Sequence, residues 1–263
     1  MFPLVTAASS DDLGLAFGQT EIVILGEIHD NPAHHATQAR IVGQLQPDAL
    51  VFEMIEPGPA RQITPDMRAN AAMLERHLGW ESSGWPDFAM YYPIFNAAPD
   101  SAIFGAALPR DTVRQAVTDG AAQVFGDAAT LFGLDQSLPP DQLEERLELQ
   151  QVAHCNALPE SMLPGMVEAQ RLRDAALARA TVAAFELARA SSDAPQVVVI
   201  TGNGHAREDW GMTAMLRTYY SDDPTIDIAA LAQFEGEAPE DHPFTTHIVT
   251  ETADREDPCA AFK

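Results

Sequence analysis

Four apolar, β-branched runs that each end on a polar or charged side chain constrain this chain's fold more than any other feature. Residues 21–25 and 196–201 run into Gly26-Glu27-Ile28-His29 and Gly202-Asn203-Gly204-His205. Continuous runs of this kind predict strands buried on both faces of a parallel sheet. Each of the two delivers a histidine to the carboxyl end of its strand, the edge where open α/β sheets place their ligands. A third run, 48–53, ends at Glu53, and a fourth, 101–108, ends at Pro109-Arg110. If the strands are parallel, Glu27, His29, Glu53, Arg110 and His205 share one edge.

The rest of the chain supports an α/β fold: a mainly parallel central sheet flanked by helices, with a helical cap insertion. Asn31-Pro32 offers a cap and a first helical residue, and Ile41, Val42 and Leu45 give the helix that follows an apolar face. A helix is expected over 65–79, stopped by Gly79. The aromatic stretch 80–95, with Trp80, Trp85, Phe88, Tyr91, Tyr92 and Phe95, reads as a loop over the sheet. A helix from Arg110 to about Val117 follows. Residues 121–190 show no strand pattern; helices are expected over 141–152 and 165–190, separated by Pro159 and Pro164. A short helix at 209–219 and weaker strands at 226–232 and 246–250 complete the pattern. The expected division is a core of 1–120 and 166–253, a helical cap of 121–165, and a mobile tail of 254–263.

Among the 263 residues, 15 are Lys or Arg and 39 are Asp or Glu, a net charge of −24. Such a surface repels phosphate backbones and anionic headgroups, so nucleic acid is not an expected partner. No apolar stretch is long enough to span a bilayer. The first ten residues lack the basic start and the apolar core of a signal peptide. A cytoplasmic location is expected, or a periplasmic one if the sequence is a trimmed form. Cys155 and Cys259 have no metal-type spacing, and Cys259 falls in a charged terminal stretch, so a disulfide between them is not expected.

Glu27 and His29, two residues apart at an extended strand end, share a face. With Glu53 and His205 they form a candidate catalytic set. His29, Glu53 and His205 are candidate ligands for Mn, Fe or Zn, and Glu27 is a candidate general base. The competing reading is a turn whose buried polar groups satisfy one another. Arg110 and Arg207 could meet a ligand carboxylate, or serve as a helix-start ion pair and a surface charge. His34 and His35 are adjacent on a helix and point about 100° apart; one could reach the strand ends while the other is solvated. His154, beside Cys155 and near Met162 and Met166, could ligate a metal or haem iron, or simply pack. Tyr91 and Tyr92 could cover a flat ligand, supply a phenolate to iron, or fill the loop beneath the sheet. No Gly-x-Ser-x-Gly elbow, Walker loop or Gly-x-Gly-x-x-Gly element occurs.

The strings Ile24-Leu25-Gly26-Glu27-Ile28-His29-Asp30-Asn31-Pro32, Phe52-Glu53-Met54-Ile55 and Ile200-Thr201-Gly202-Asn203-Gly204-His205-Ala206-Arg207 resemble the ChaN-like haem-binding uptake family, within the Tiki/TraB/erythromycin-esterase-like superfamily. His154-Cys155-Asn156-Ala157-Leu158-Pro159 and Ala169-Gln170-Arg171-Leu172-Arg173-Asp174 are similar to the same family. The resemblance covers most of 21–220. It implies an α/β core with a helical cap, haem as cofactor, an iron-uptake setting, and tyrosine on the haem iron in a homodimer. Tyr91 and Tyr92 are the candidates here, with Arg110, Arg207 and His154 as further cofactor contacts. The wider superfamily also implies a rival function, a metal-dependent hydrolase of peptidase or esterase type using His29, Glu53 and His205.

Overall fold

The computed structural model describes residues 13–257 and 259–260; the leader expectation for the first ten residues lies outside them. The chain divides into two compact units, one holding the residues up to Ala107 together with Leu177–Ala253, the other Leu108–Ala176 with the end from Asp254.

The first unit opens with α1 (Leu13–Ala16), β1 (Ile22–Glu27), α2 (Pro32–Leu45) and β2 (Ala49–Phe52). It continues through α3 (Pro57–Ala60), α4 (Pro65–Arg68), α5 (Ala71–Leu78), α6 (Phe88–Ala97) and β3 (Ala102–Gly105). The second unit carries α7 (Arg110–Asp119), α8 (Ala121–Phe125), α9 (Pro140–Ala153) and the start of α10 (Leu163–Arg189). The chain then returns through β4 (Val197–Gly202), α11 (Asn203–Ala206), α12 (Met212–Tyr219), β5 (Ile228–Glu235) and β6 (Thr246–Thr250).

The described strands form one sheet in the order β3-β2-β4-β1-β5-β6, and every pairing is parallel. Every residue of β1, β2 and β4 is buried. This is the reason those runs are apolar throughout rather than alternating. Register does the positioning: Glu27 stands opposite Gly202, and Phe52 opposite Ile200, so Glu53 follows level with Thr201. Returning between β1 and β2, β4 sets three strand ends side by side where the order of the sheet reverses.

Two expectations are corrected in this unit. The helix expected over 65–79 is two, α4 and α5, because Asn70 caps a new start with its side chain accepting from Met73 N; Gly79 ends the second at φ 63° as expected. The expected loop of 80–95 contains a helix from Phe88 on. Phe88, Tyr91, Tyr92 and Phe95 stand at i, i+3, i+4 and i+7, a helical stripe, and three of the four are buried beneath the sheet, Phe95 stacking on Phe52 at 4.3 Å. The Asp87 side chain caps the start by accepting from Ala89 N. Pro93 lies inside the helix, and its missing N–H disguises the pattern.

The second unit packs Phe125 edge-on against Phe132, at 5.5 Å. Glu168 accepts from Ala121 N, and Arg171 donates to the carbonyls of Leu134 and Gln136. Cys155 and Cys259 form a disulfide, with Cα atoms 5.4 Å apart, which overturns the expectation that they stay unpaired. Beyond α9 the backbone turns out through left-handed Cys155 (φ 59°) and Asn156 (φ 56°), presenting the first thiol to the last described residues. Proximity across 104 positions is not legible from a local pattern.

Candidate functional site

At the carboxyl edge of the sheet, β1 and its following turn supply Glu27 and His29, β2 supplies Glu53, and the turn after β4 supplies His205 through α11. Glu27 is fully enclosed and takes four partners. Its Oε1 lies 2.7 Å from His29 Nδ1 and accepts from the Tyr91 hydroxyl at 2.7 Å. Its Oε2 accepts from Gln38 Nε2 at 2.8 Å and lies 3.4 Å from His35 Nδ1. Glu53 Oε2 accepts from the Thr201 hydroxyl at 2.7 Å and from Gly202 N at 2.8 Å. Its Oε1 lies 3.4 Å from His205 Nε2 and 4.0 Å from His29 Nε2. The cluster therefore alternates acid and imidazole: Glu27, His29, Glu53, His205.

Only His29 opens to solvent, at 34% of its side chain, against 0% for Glu27, 10% for Glu53 and 8% for His205. Trp85 stands edge-on to its ring at 4.8 Å. Gly202 leaves room for it, since a Cβ there would come 2.9 Å from His29 Nε2 and 3.0 Å from Cε1 and would push the ring aside.

The electrostatics follow from this geometry. Burial alone would raise the carboxyl of Glu27, but its hydrogen bonds to His29 and His35 and their charges outweigh that, and it sits below its ordinary value. Burial opposes ionisation of Glu53 too. There the charge and hydrogen bond of His205, the charge of His29 and the Gly202 N–H prevail, and hold it well below the carboxylate range. Burial disfavours the imidazolium of His29, yet Glu27 and Glu53 together raise it despite the opposing charge of His205. Burial first, then the charge of Glu27, drive the Tyr91 phenol far above its usual range, so this hydroxyl is a donor and not a phenolate.

His34 and His35 are both buried, correcting the expectation that one is solvated. His34 Nδ1 accepts from Ile28 N, its Nε2 meets the Thr250 hydroxyl, and burial lowers it to about 4. His35 Nε2 donates to the His29 carbonyl, and its ring lies 4.2 Å from that of Tyr91. The spacing of His34, Gln38 and Ile41 at i, i+4 and i+7 marks this inward stripe of α2. That signal would have found Gln38, which the sequence reading missed along with the roles of Thr201 and Trp85.

Of the remaining sequence candidates, Tyr91 joins the cluster through Glu27, and the others make contacts outside it. Tyr91 is fully buried, with its hydroxyl on Glu27, and Tyr92 donates to the Arg68 carbonyl at 3.0 Å. Arg207 pairs with Asp209 through Nε and a terminal nitrogen, at 2.9 and 2.6 Å, and its guanidinium lies 3.6 Å over the Trp210 ring. Arg110 is exposed at the start of α7, in the second unit. His154 closes α9 in that same unit, half-buried, with Nδ1 2.8 Å from the Gln150 carbonyl. That bond puts a proton on Nδ1, so that in the neutral ring Nε2 carries the lone pair, the tautomer suited to iron or another metal. Among the described residues, no group of three or more His, Cys, Asp or Glu is arranged to hold a metal ion.

The family model described as "Haem-binding uptake, Tiki superfamily, ChaN" matches residues 16–216, which contain the whole strand-end cluster and His154. The chain belongs to this ChaN-like family. No curated protein matches it. Among solved structures it is similar to ChaN of Campylobacter jejuni, described with cofacial haem binding, at 18% identity and a TM-score of 0.65, over 90% of this chain and 91% of that one. It is also similar to the type III effector HopBA1, at 14% identity and a TM-score of 0.47, over 96% of this chain and 100% of that one. The Campylobacter likeness shows a shared α/β fold. No described helix is long and apolar enough to cross a membrane.

Proposed function

We propose that this ChaN-like protein binds haem and serves haem or iron handling. The observation that carries the reading is the family match over residues 16–216. His154 supports it, as an imidazole with Nδ1 engaged on a backbone carbonyl and Nε2 available to iron. Haem when bound supplies a ligatable iron and a broad apolar ring. The same unit carries exposed Leu149, Val152 and Met162 as apolar surface, and the exposed Arg110 as a cation for a propionate. His154 replaces Tyr91 as the ligand candidate, because the Tyr91 hydroxyl is buried and committed to Glu27.

Titration of the apo-protein with hemin tests the reading. A saturable Soret shift is expected. His154→Ala should weaken binding by at least about tenfold, of the order seen when a metal site loses a supporting group, and added imidazole should restore the spectrum. Absence of a saturable shift would contradict haem binding, and an unchanged His154→Ala titration would contradict the ligand assignment.

A second reading, hydrolysis of an ester or peptide bond, is favoured by the Glu27–His29 pair. A carboxylate on Nδ1 orients a partly open imidazole, as a general base requires. Turnover of activated esters that disappears in His29→Gln would support it, and no turnover by the wild type would remove it.

A further inference from the structure

A second pair of imidazoles lies beyond the residues that the family model matches. His247 is on β6, and His242 is in the turn that leads from β5 to it. His242 Nε2 is 2.7 Å from His247 Nδ1, with ring centres 4.5 Å apart at 74°. Phe234 flanks both rings, at 5.8 and 5.9 Å, and Phe244 lies 5.9 Å from His242. Both imidazoles are half-buried at an edge strand, so they are sheltered yet reachable.

Only one hydrogen fits between two ring nitrogens, so the other nitrogen must present a lone pair. The remaining nitrogen of His242, Nδ1, is buried without a hydrogen-bond partner. The neutral pair therefore keeps a lone pair on offer. A tetrahedral cation bound at about 2.1 Å holds two imidazole nitrogens about 3.3 Å apart. Reaching that from 2.7 Å asks the turn to open by roughly half an ångström. The exposed Glu240 and Asp241 precede His242, and the chain's net charge of −24 draws cations.

We infer that His242 and His247 together chelate one late first-row divalent cation of the zinc, nickel or copper class through Nε2 and Nδ1, the proton they share moving to the outer nitrogen of its own ring. Such cations favour imidazole; water or Asp241 would complete the coordination. The site is independent of the haem reading.

Equilibrium dialysis of the untagged, chelator-stripped full chain against Zn2+ tests it. Saturable uptake of one equivalent is expected. His242→Ala and His247→Ala should each weaken uptake by at least about tenfold, and the double variant should abolish it, while His29→Gln with His205→Gln leaves it intact. As a check free of folding effects, Ni2+ added to the wild type should broaden NMR signals around Phe234, His242 and His247 first. The inference is overturned if the wild type takes up no zinc saturably, if a folded double variant binds as the wild type does, or if nickel broadening centres elsewhere.

Discussion

Glu53 shows how this protein keeps charge inside. Its Oε2 takes an O–H and an N–H, from Thr201 and Gly202, while Oε1 faces two imidazoles. A buried carboxylate met by donors and cations on both oxygens stays ionised. Replacing Glu53 by Gln keeps the shape and removes the charge that His205 and His29 face, so we expect a loss of about 3 kcal/mol in urea unfolding near neutral pH. The sign with pH follows from the shifts. Glu27 and Glu53 lie below their reference of 4.5, so their contribution is whole above that pH and is lost as pH falls through their folded values. His29 lies above 6.5, so its contribution is whole below that pH and is lost as pH rises through its folded value. The cluster should therefore stabilise most between pH 4.5 and 6.5. Unfolding midpoints across pH 3 to 9, wild type against Glu53→Gln, should show the difference narrowing in acid; a pH-independent difference would contradict the assignment. These carboxylates and His29 and His205 were legible in the sequence because strands buried on both faces announce their own ends. Gln38 and Thr201 were not, because they look like ordinary polar residues until the register places them beside a carboxylate.

At the scale of elements, α6 depends on Arg68, the last residue of α4. Its guanidinium is buried and donates to the carbonyls of Phe95, Ala98 and Ser101, at 2.5 to 3.2 Å, satisfying groups that the helix end leaves open. Arg68→Ala would orphan those carbonyls and open a cavity, and should cost about 3 kcal/mol or more. Thermal unfolding checks this, and a change under about 1 kcal/mol would show that water replaces the arginine there. Because α6 carries Tyr91 to Glu27, the loss should also loosen the strand-end cluster. The strands and most helices could be read from periodicity and caps, since those signals are local. The helix at α6 was obscured by Pro93 and by the Trp-rich approach to it, although its aromatic stripe has helical spacing. Its role in holding Glu27 depends on contacts 64 positions apart in the chain.

At the scale of the whole molecule, the disulfide between Cys155 and Cys259 ties the chain's end to the turn that carries His154. Closing a loop of 104 residues restricts the unfolded chain, by up to about 4 to 5 kcal/mol in the entropic account. Reduction with dithiothreitol should lower the thermal midpoint, and thiol labelling of the oxidised protein should find no free cysteine; unchanged stability on reduction would contradict that role. Neither charge pattern nor spacing announced this bond, because it exists only in three dimensions. The proposed function gives two sets of imidazoles different work: His29 and His205 stand in the charged network at the sheet edge, and His154 is the proposed ligand of haem iron. Parallel hemin titrations of His154→Ala and of His29→Gln with His205→Gln measure that division directly. The Soret titration should weaken by at least about tenfold in the first and stay as in the wild type in the second. Retention in the first with loss in a folded second would contradict that division.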